Sequence, residues 1–226
     1  MTFLDNSEHS MTQNIHRIRT GIFPPDPART LLYFPIIHTL ADMGDLQEDI
    51  RRATILKLGE KGWKNKVYIV DKMWTKIQQF VDNLALSYEK VRLYQDGLPV
   101  CGGEAEIVKK LAQAGSRNHQ ILLILMERGA QIMGTESAEL LVEEYDLAKQ
   151  TLASGNAPKV VRLKSREKAS GEILLSKRDQ FIGDRINRTL GDKETGILFL
   201  GMLHSLKNIL DPDICVIYPI HQPING

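Results

Sequence analysis

Short runs of aliphatic, β-branched and aromatic residues recur along the chain at 31–37 (LLYFPII), 91–95 (VRLYQ), 130–133 (AQIM), 196–200 (GILFL) and 214–218 (ICVIY). Each has strand length, and longer amphipathic stretches separate them. Leu141, Tyr145, Ala148 and Leu152 recur at helical spacing, so 137–152 reads as a helix with one apolar stripe. Ile182, Ile186 and Leu190 mark another over 170–190, ended by Gly191 as a C-terminal cap. Residues 70–88 and 104–113 are further helices, and the apolar run at 120–127 is read as helix although its pattern also fits a strand. Strands alternating with helices predict an α/β fold, a mostly parallel central sheet flanked by helices.

Breaks in the pattern set the boundaries. Pro24, Pro25 and Pro27 fix φ and withhold ladder donors, so the fold begins just after them. Residues 1–25 are expected to be a flexible tail and 26–226 a single α/β domain. Ser154, Gly155, Asn156 and Pro158 cluster between two periodic segments and read as a loop. No internal repeat points to a solenoid or propeller.

Composition narrows the class. At 226 residues a chain buries roughly 70–75% of its unfolded surface, enough for a core without staples. Cys101 and Cys215 form no C-x-x-C pair and the polar start lacks a leader's apolar core, so a reducing, cytoplasmic location is expected. The apolar runs at 31–37 and 197–203 fall far short of the roughly 18 residues a membrane helix needs, and no membrane partner is expected. With 29 Lys and Arg against 28 Asp and Glu, net +1, nothing in the overall balance calls for nucleic acid. The locally basic run at 159–177 reads as a solvated helix face.

Candidate chemistry follows from what lies after each strand, because a parallel sheet gathers its carboxyl ends along one edge. His38, Thr39 and Asp42 follow the first run, Asp96 and Gly97 the second, Gly134, Thr135 and Glu136 the third, and Gly201 and His204 the fourth. If those strands are parallel neighbours, two imidazoles and several carboxylates share a rim. Such a set suits a divalent metal, for which His38, His204, Asp96 and Glu136 are the candidate ligands. It equally suits a metal-free histidine that activates water beside an orienting carboxylate. Arg178 falls within the apolar arc of Phe181, Ile182 and Ile186 and should point inward, toward a rim carboxylate or a substrate oxyanion. Each residue has an ordinary alternative: a satisfied histidine for His38 or His204, a turn aspartate for Asp96, a helix-end charge for Glu136, and an ion pair with Glu136 for Arg178.

Arg178-Asp179-x-x-Ile182-x-x-x-Ile186, followed by a strand ending in Gly201-Met202-Leu203-His204, resembles the carboxyl-terminal part of the Tiki/TraB-like superfamily, which includes erythromycin esterases and haem-binding relatives. The resemblance implies an earlier strand ending in a histidine, here His38, although Pro35 stands where the family usually has glycine. It also implies a carboxylate after an internal strand, which Asp96 or Glu136 would supply. One such scaffold hosts metal-dependent proteolysis, metal-free ester hydrolysis and haem binding, so the fold leaves the chemistry open. The expectation is a hydrolase acting on a small molecule or peptide, in which His38, His204 and Asp96 or Glu136 activate water, with or without a divalent metal, and Arg178 stabilises negative charge. The alternative is a non-catalytic small-ligand-binding or regulatory module.

Overall fold

The computed structural model describes residues 28–154 and 161–220. The expected tail and the turn residues Gly155, Asn156 and Pro158 lie outside the described residues. All five apolar runs form strands: β1 (Arg29–Ile36), β2 (Val91–Gln95), β3 (Gln131–Met133), β4 (Thr195–Gly201) and β5 (Ile214–Ile217). They build one sheet in the order β3-β2-β4-β1-β5, with every pairing parallel. The helices are α1 (Gln47–Asp82), α2 (Glu104–Gln113), α3 (Arg117–Glu127), α4 (Ala138–Ser154) and α5 (Val161–Thr189). The ambiguous run after residue 120 is thus helical, as part of α3.

Alternation along the strands sorts the core into two layers. Leu32, Phe34, Ile36, Leu93, Ile197 and Phe199 pack with Val70, Trp74, Ile77 and Val81 of α1, Val108 of α2, and Ile121, Leu122 and Leu125 of α3. Leu31, Tyr33, Tyr94, Leu198 and Leu200 pack with Ile182, Ile186 and Leu190 at the end of α5. With both faces covered, the inner strands carry apolar residues at nearly every position, which is why they read as continuous runs. Phe34 stacks on Phe199 at 5.2 Å between ring centroids, with Trp74 tilted behind it at 6.3 Å. The Trp74 indole N–H donates to the Ile37 carbonyl (3.1 Å), tying α1 to the chain just before His38.

Pro35 fits because of where the sheet ends. The Ile36 carbonyl accepts from Met202 on the β4 side, so the Pro35 peptide faces β5, and the β5 register stops at Leu32. The missing N–H therefore removes no ladder bond.

Two helices are longer than their periodicity predicts. α1 starts at Gln47 instead of residue 70, and α5 at Val161 instead of residue 170. No residue from 47 to 69 is buried, so this part of α1 has no core-facing stripe to reveal it as a helix. Gly59 interrupts it with φ +70°, a left-handed conformation that glycine adopts without strain, and the helix resumes beyond the bend.

Candidate functional site

The strand order puts β4 between β2 and β1, so the residues that follow these three strands meet in the crevice at the carboxyl edge. Asp96 is the first residue after β2, and its backbone N–H donates to the Phe199 carbonyl of β4 at 2.9 Å. Its side chain is the hub. Oδ2 accepts from His38 Nε2–H (2.9 Å) and from the Gly201 backbone N–H (2.8 Å), and Oδ1 accepts from Arg178 (2.8 Å). His204 Nε2 stands 3.7 Å from the same Oδ2. Both sequence-predicted histidines therefore close on one carboxylate oxygen.

Glu136 arrives from the segment after β3, held by backbone bonds to Leu98 and Val100. It is fully buried, accepting from the Gly97 N–H (3.1 Å) and from Arg178 Nε–H (2.9 Å). Arg178 does point inward from α5 and spends its donors on Asp96, Glu136 and the half-exposed Glu144. The next residue, Asp179, accepts from His204 Nδ1–H (2.6 Å) and from the Ser205 N–H (3.1 Å). Adjacent residues of one helix thus anchor both the carboxylate pair and the second histidine. Asp179 and Glu144 are partners whose part the spacing alone does not reveal.

Burial and neighbours drive the two carboxyl groups apart. Burial would raise Asp96, but the His38 hydrogen bond and the charges of His38, His204 and Arg178 outweigh it and hold it far below the usual carboxylate range. For Glu136 burial wins over the opposing Arg178 contacts and pushes it up. At His38 desolvation opposes the charged form, yet the Asp96 hydrogen bond and charge raise it overall. The His38 side chain is 27% exposed, against 4% for His204 and Asp96, so His38 is the member that solvent reaches. Its Nδ1 makes no hydrogen bond among the described residues.

A second polar cluster lies beside His38. Asp42 accepts from Thr39 and, at 2.5 Å, from the Ser116 hydroxyl, which stands 2.7 Å from His119 Nδ1. Asn118 is within reach of the same hydroxyl, and its buried Nδ2 has no partner among the described residues, nor has Oε1 of Gln95. Ser116 and His119 escape a strand-end reading because they sit at a helix start, and only Asp42 is visible that way. Desolvation pushes His119 down to about 4 against the attraction of Asp42, with the His38 charge adding to the fall. A buried base that is harder to protonate when folded withdraws stability as pH drops. The loss begins below the unfolded value of 6.5, grows by about 1.4 kcal/mol per pH unit and totals about 3 kcal/mol near pH 4. Urea titrations at pH 7 and pH 4.5 are expected to show this loss in the native protein and a much smaller one in His119→Asn.

Gly201 has no side chain for a steric reason. A Cβ there would lie 2.8 Å from Asp96 Oδ2, 3.5 Å from His204 Cδ2 and 3.6 Å from His38 Nε2. Gly201→Ala is expected to push Asp96 off its donors and to cost about 1–3 kcal/mol in a urea melt.

Ligand atoms of Asp96, Glu136 and His204 lie within 4.8 Å of one another, a donor set that could hold a metal ion. The Asp179 carboxylate on His204 Nδ1 is the outer-shell partner that a ligating histidine uses. Against this, the Arg178 guanidinium already donates to both carboxylates and places a full positive charge where a cation would bind. Comparison of the chain with protein-family models, with curated proteins and with solved structures finds no match in any of the three.

Proposed function

We propose that the protein is a hydrolase of the Tiki/TraB-like type in which His38 activates water. The observation that carries this reading is the partly exposed His38 imidazole, fixed through Nε2 to a buried, ionised Asp96 and with an Nδ1 that has no partner among the described residues. In that arrangement Nδ1 takes a proton from water as the oxygen attacks a substrate carbonyl. The tetrahedral intermediate collapses, and His38 returns the proton to the leaving alkoxide or amine. Asp96 orients the imidazole and stabilises its cation, while Arg178 adds to the His38 contact that keeps Asp96 ionised and Gly201 fixes its position. The Arg178-bearing helix and the Gly201-x-x-His204 match support the family side of the reading.

The Asp96, Glu136 and His204 donor set favours a second reading in which a divalent cation takes part. Those three residues would hold it, and it would supply a bound water of lowered pKa.

The test has two arms on protein purified without chelator or affinity tag. One is turnover of p-nitrophenyl esters and of peptides by the native chain and His38→Gln. The other is metal content by plasma mass spectrometry, with His204→Ala as control. Turnover that survives chelation and disappears in His38→Gln supports the metal-free reading. Near-stoichiometric metal lost in His204→Ala moves the chemistry to the cation, and a tightly retained ligand without turnover makes the rim a binding module instead.

A further inference from the structure

The net charge of +1 conceals a separation along the chain. Residues 51–76 carry eight Lys or Arg and two Asp or Glu, residues 162–177 carry five and two, and the rest of the chain carries 16 and 24. Two short segments thus hold a net +9 against −8 elsewhere.

Topology brings both segments to one end of the molecule. α1 follows the carboxyl end of β1, whereas α5 leads into the amino end of β4, so both helices begin on the carboxyl-edge side of the sheet. Beyond the Gly59 bend, residues 60–82 of α1 span about 35 Å, and the 29-residue α5 spans about 43 Å. The eight-residue β1 and seven-residue β4 reach only about 26 and 23 Å. Burial begins at Val70 in α1, and in α5 the first residue of the described side chains to be buried is Leu174. The earlier turns of both helices therefore overrun the edge that carries His38 and Asp96.

The α1 arm has the surface chemistry of a membrane-lying helix. Lys61, Lys64, Tyr68, Lys72 and Lys76 recur every three to four residues, opposite the core stripe of Val70, Trp74, Ile77 and Val81. Lys57, Lys61, Lys64, Lys66 and Lys76 are exposed and have no acidic partner among the described residues. Arg51 and Arg52 are paired with Glu48 and Asp49, and Asp71 is taken by Arg117. Aliphatic side chains stand among the lysines: Leu56 is 78% exposed, Leu58 50% and Ile69 52%, and Ile173 on α5 is 59% exposed.

We propose that the α1 arm is a docking surface for an anionic phospholipid bilayer and turns the carboxyl edge of the sheet toward the lipid. Lysine ammonium groups would meet the headgroup phosphates, while the aliphatic side chains enter the acyl boundary. Single-stranded nucleic acid fits less well, since it calls for a row of aromatic platforms and free guanidinium groups. Here the exposed apolar residues are mainly aliphatic, and the α1 arginines are already paired. The binding is on a surface and not a span, because no described helix is long and apolar enough to cross a membrane. It departs from the sequence expectation of no membrane partner.

Co-sedimentation of the full chain with vesicles tests this, using phosphatidylcholine alone and phosphatidylcholine mixed with phosphatidylglycerol. Binding is expected to the mixed vesicles only, to weaken as salt is raised, and to fall at least about tenfold in Lys57→Glu/Lys61→Glu/Lys64→Glu. Leu56→Ser/Ile69→Ser is expected to weaken it without changing charge. All five positions are exposed, and circular dichroism checks that the variants fold. No binding to either vesicle, equal binding to both, or indifference to charge reversal would overturn the proposal. So would tighter binding to a single-stranded RNA oligomer, measured by fluorescence anisotropy.

Discussion

Replacing Arg178 with methionine is expected to lower the free energy of unfolding by about 3–5 kcal/mol in a urea titration at neutral pH. The guanidinium is 3% exposed and donates to Asp96, Glu136 and Glu144, of which the first two are buried. Methionine fills much of the volume but leaves buried Glu136 without a counter-ion and Asp96 with the two histidines alone. Desolvation already pushes Glu136 up, so in the variant it takes a proton first and part of the cost is recovered. Adding Glu136→Gln to Arg178→Met should therefore restore some of the lost stability. A double variant as unstable as the sum of the two single variants would show that the carboxylates do not share the arginine.

If the proposed hydrolase reading holds, Asp96→Asn is expected to reduce hydrolysis by about a hundredfold to ten-thousandfold while the protein stays folded. The carboxylate accepts from Arg178 on one oxygen and from His38 and Gly201 on the other. An amide has one acceptor oxygen, so its NH2 must face either the guanidinium or the His38 and Gly201 donors. With the NH2 toward His38 and Gly201 the histidine loses its acceptor, with it toward the guanidinium two donors are opposed in a buried site, and either orientation removes the charge that stabilises the His38 cation. A purely structural Asp96 would lower activity in any background. A positioning Asp96 acts through His38, so in His38→Gln the further change Asp96→Asn should leave the residual rate nearly unchanged. An additive loss in the double variant would count against the His38 reading.

The stability prediction and the activity prediction draw on the same few contacts, and these differ in how readable they are from the chain. The strands were readable because a parallel strand buried on both faces needs apolar residues at nearly every position, as in Leu31, Leu32, Tyr33 and Phe34. The inward aim of Arg178 was readable because the angular position of a helical residue follows from its spacing relative to Ile182 and Ile186. The first turns of α1 were not, since a helical segment with no buried residue leaves no periodic apolar stripe.

By itself the sequence determined the α/β class, the five strands, and the position of His38, Asp96, Glu136 and His204 just after strands. Those are local properties, set by residue type and period. Only the tertiary structure decided that β4 lies between β2 and β1, because strand order depends on crossovers that no local pattern encodes. That order is what lets His38 and His204 close on a single oxygen of Asp96 and sets Asp179 on the far side of His204. It also brings Ser116 and His119 against Asp42 across more than seventy residues of chain. Hydrogen bonds between groups so far apart in sequence carry no spacing rule, so the fold alone assembled the site.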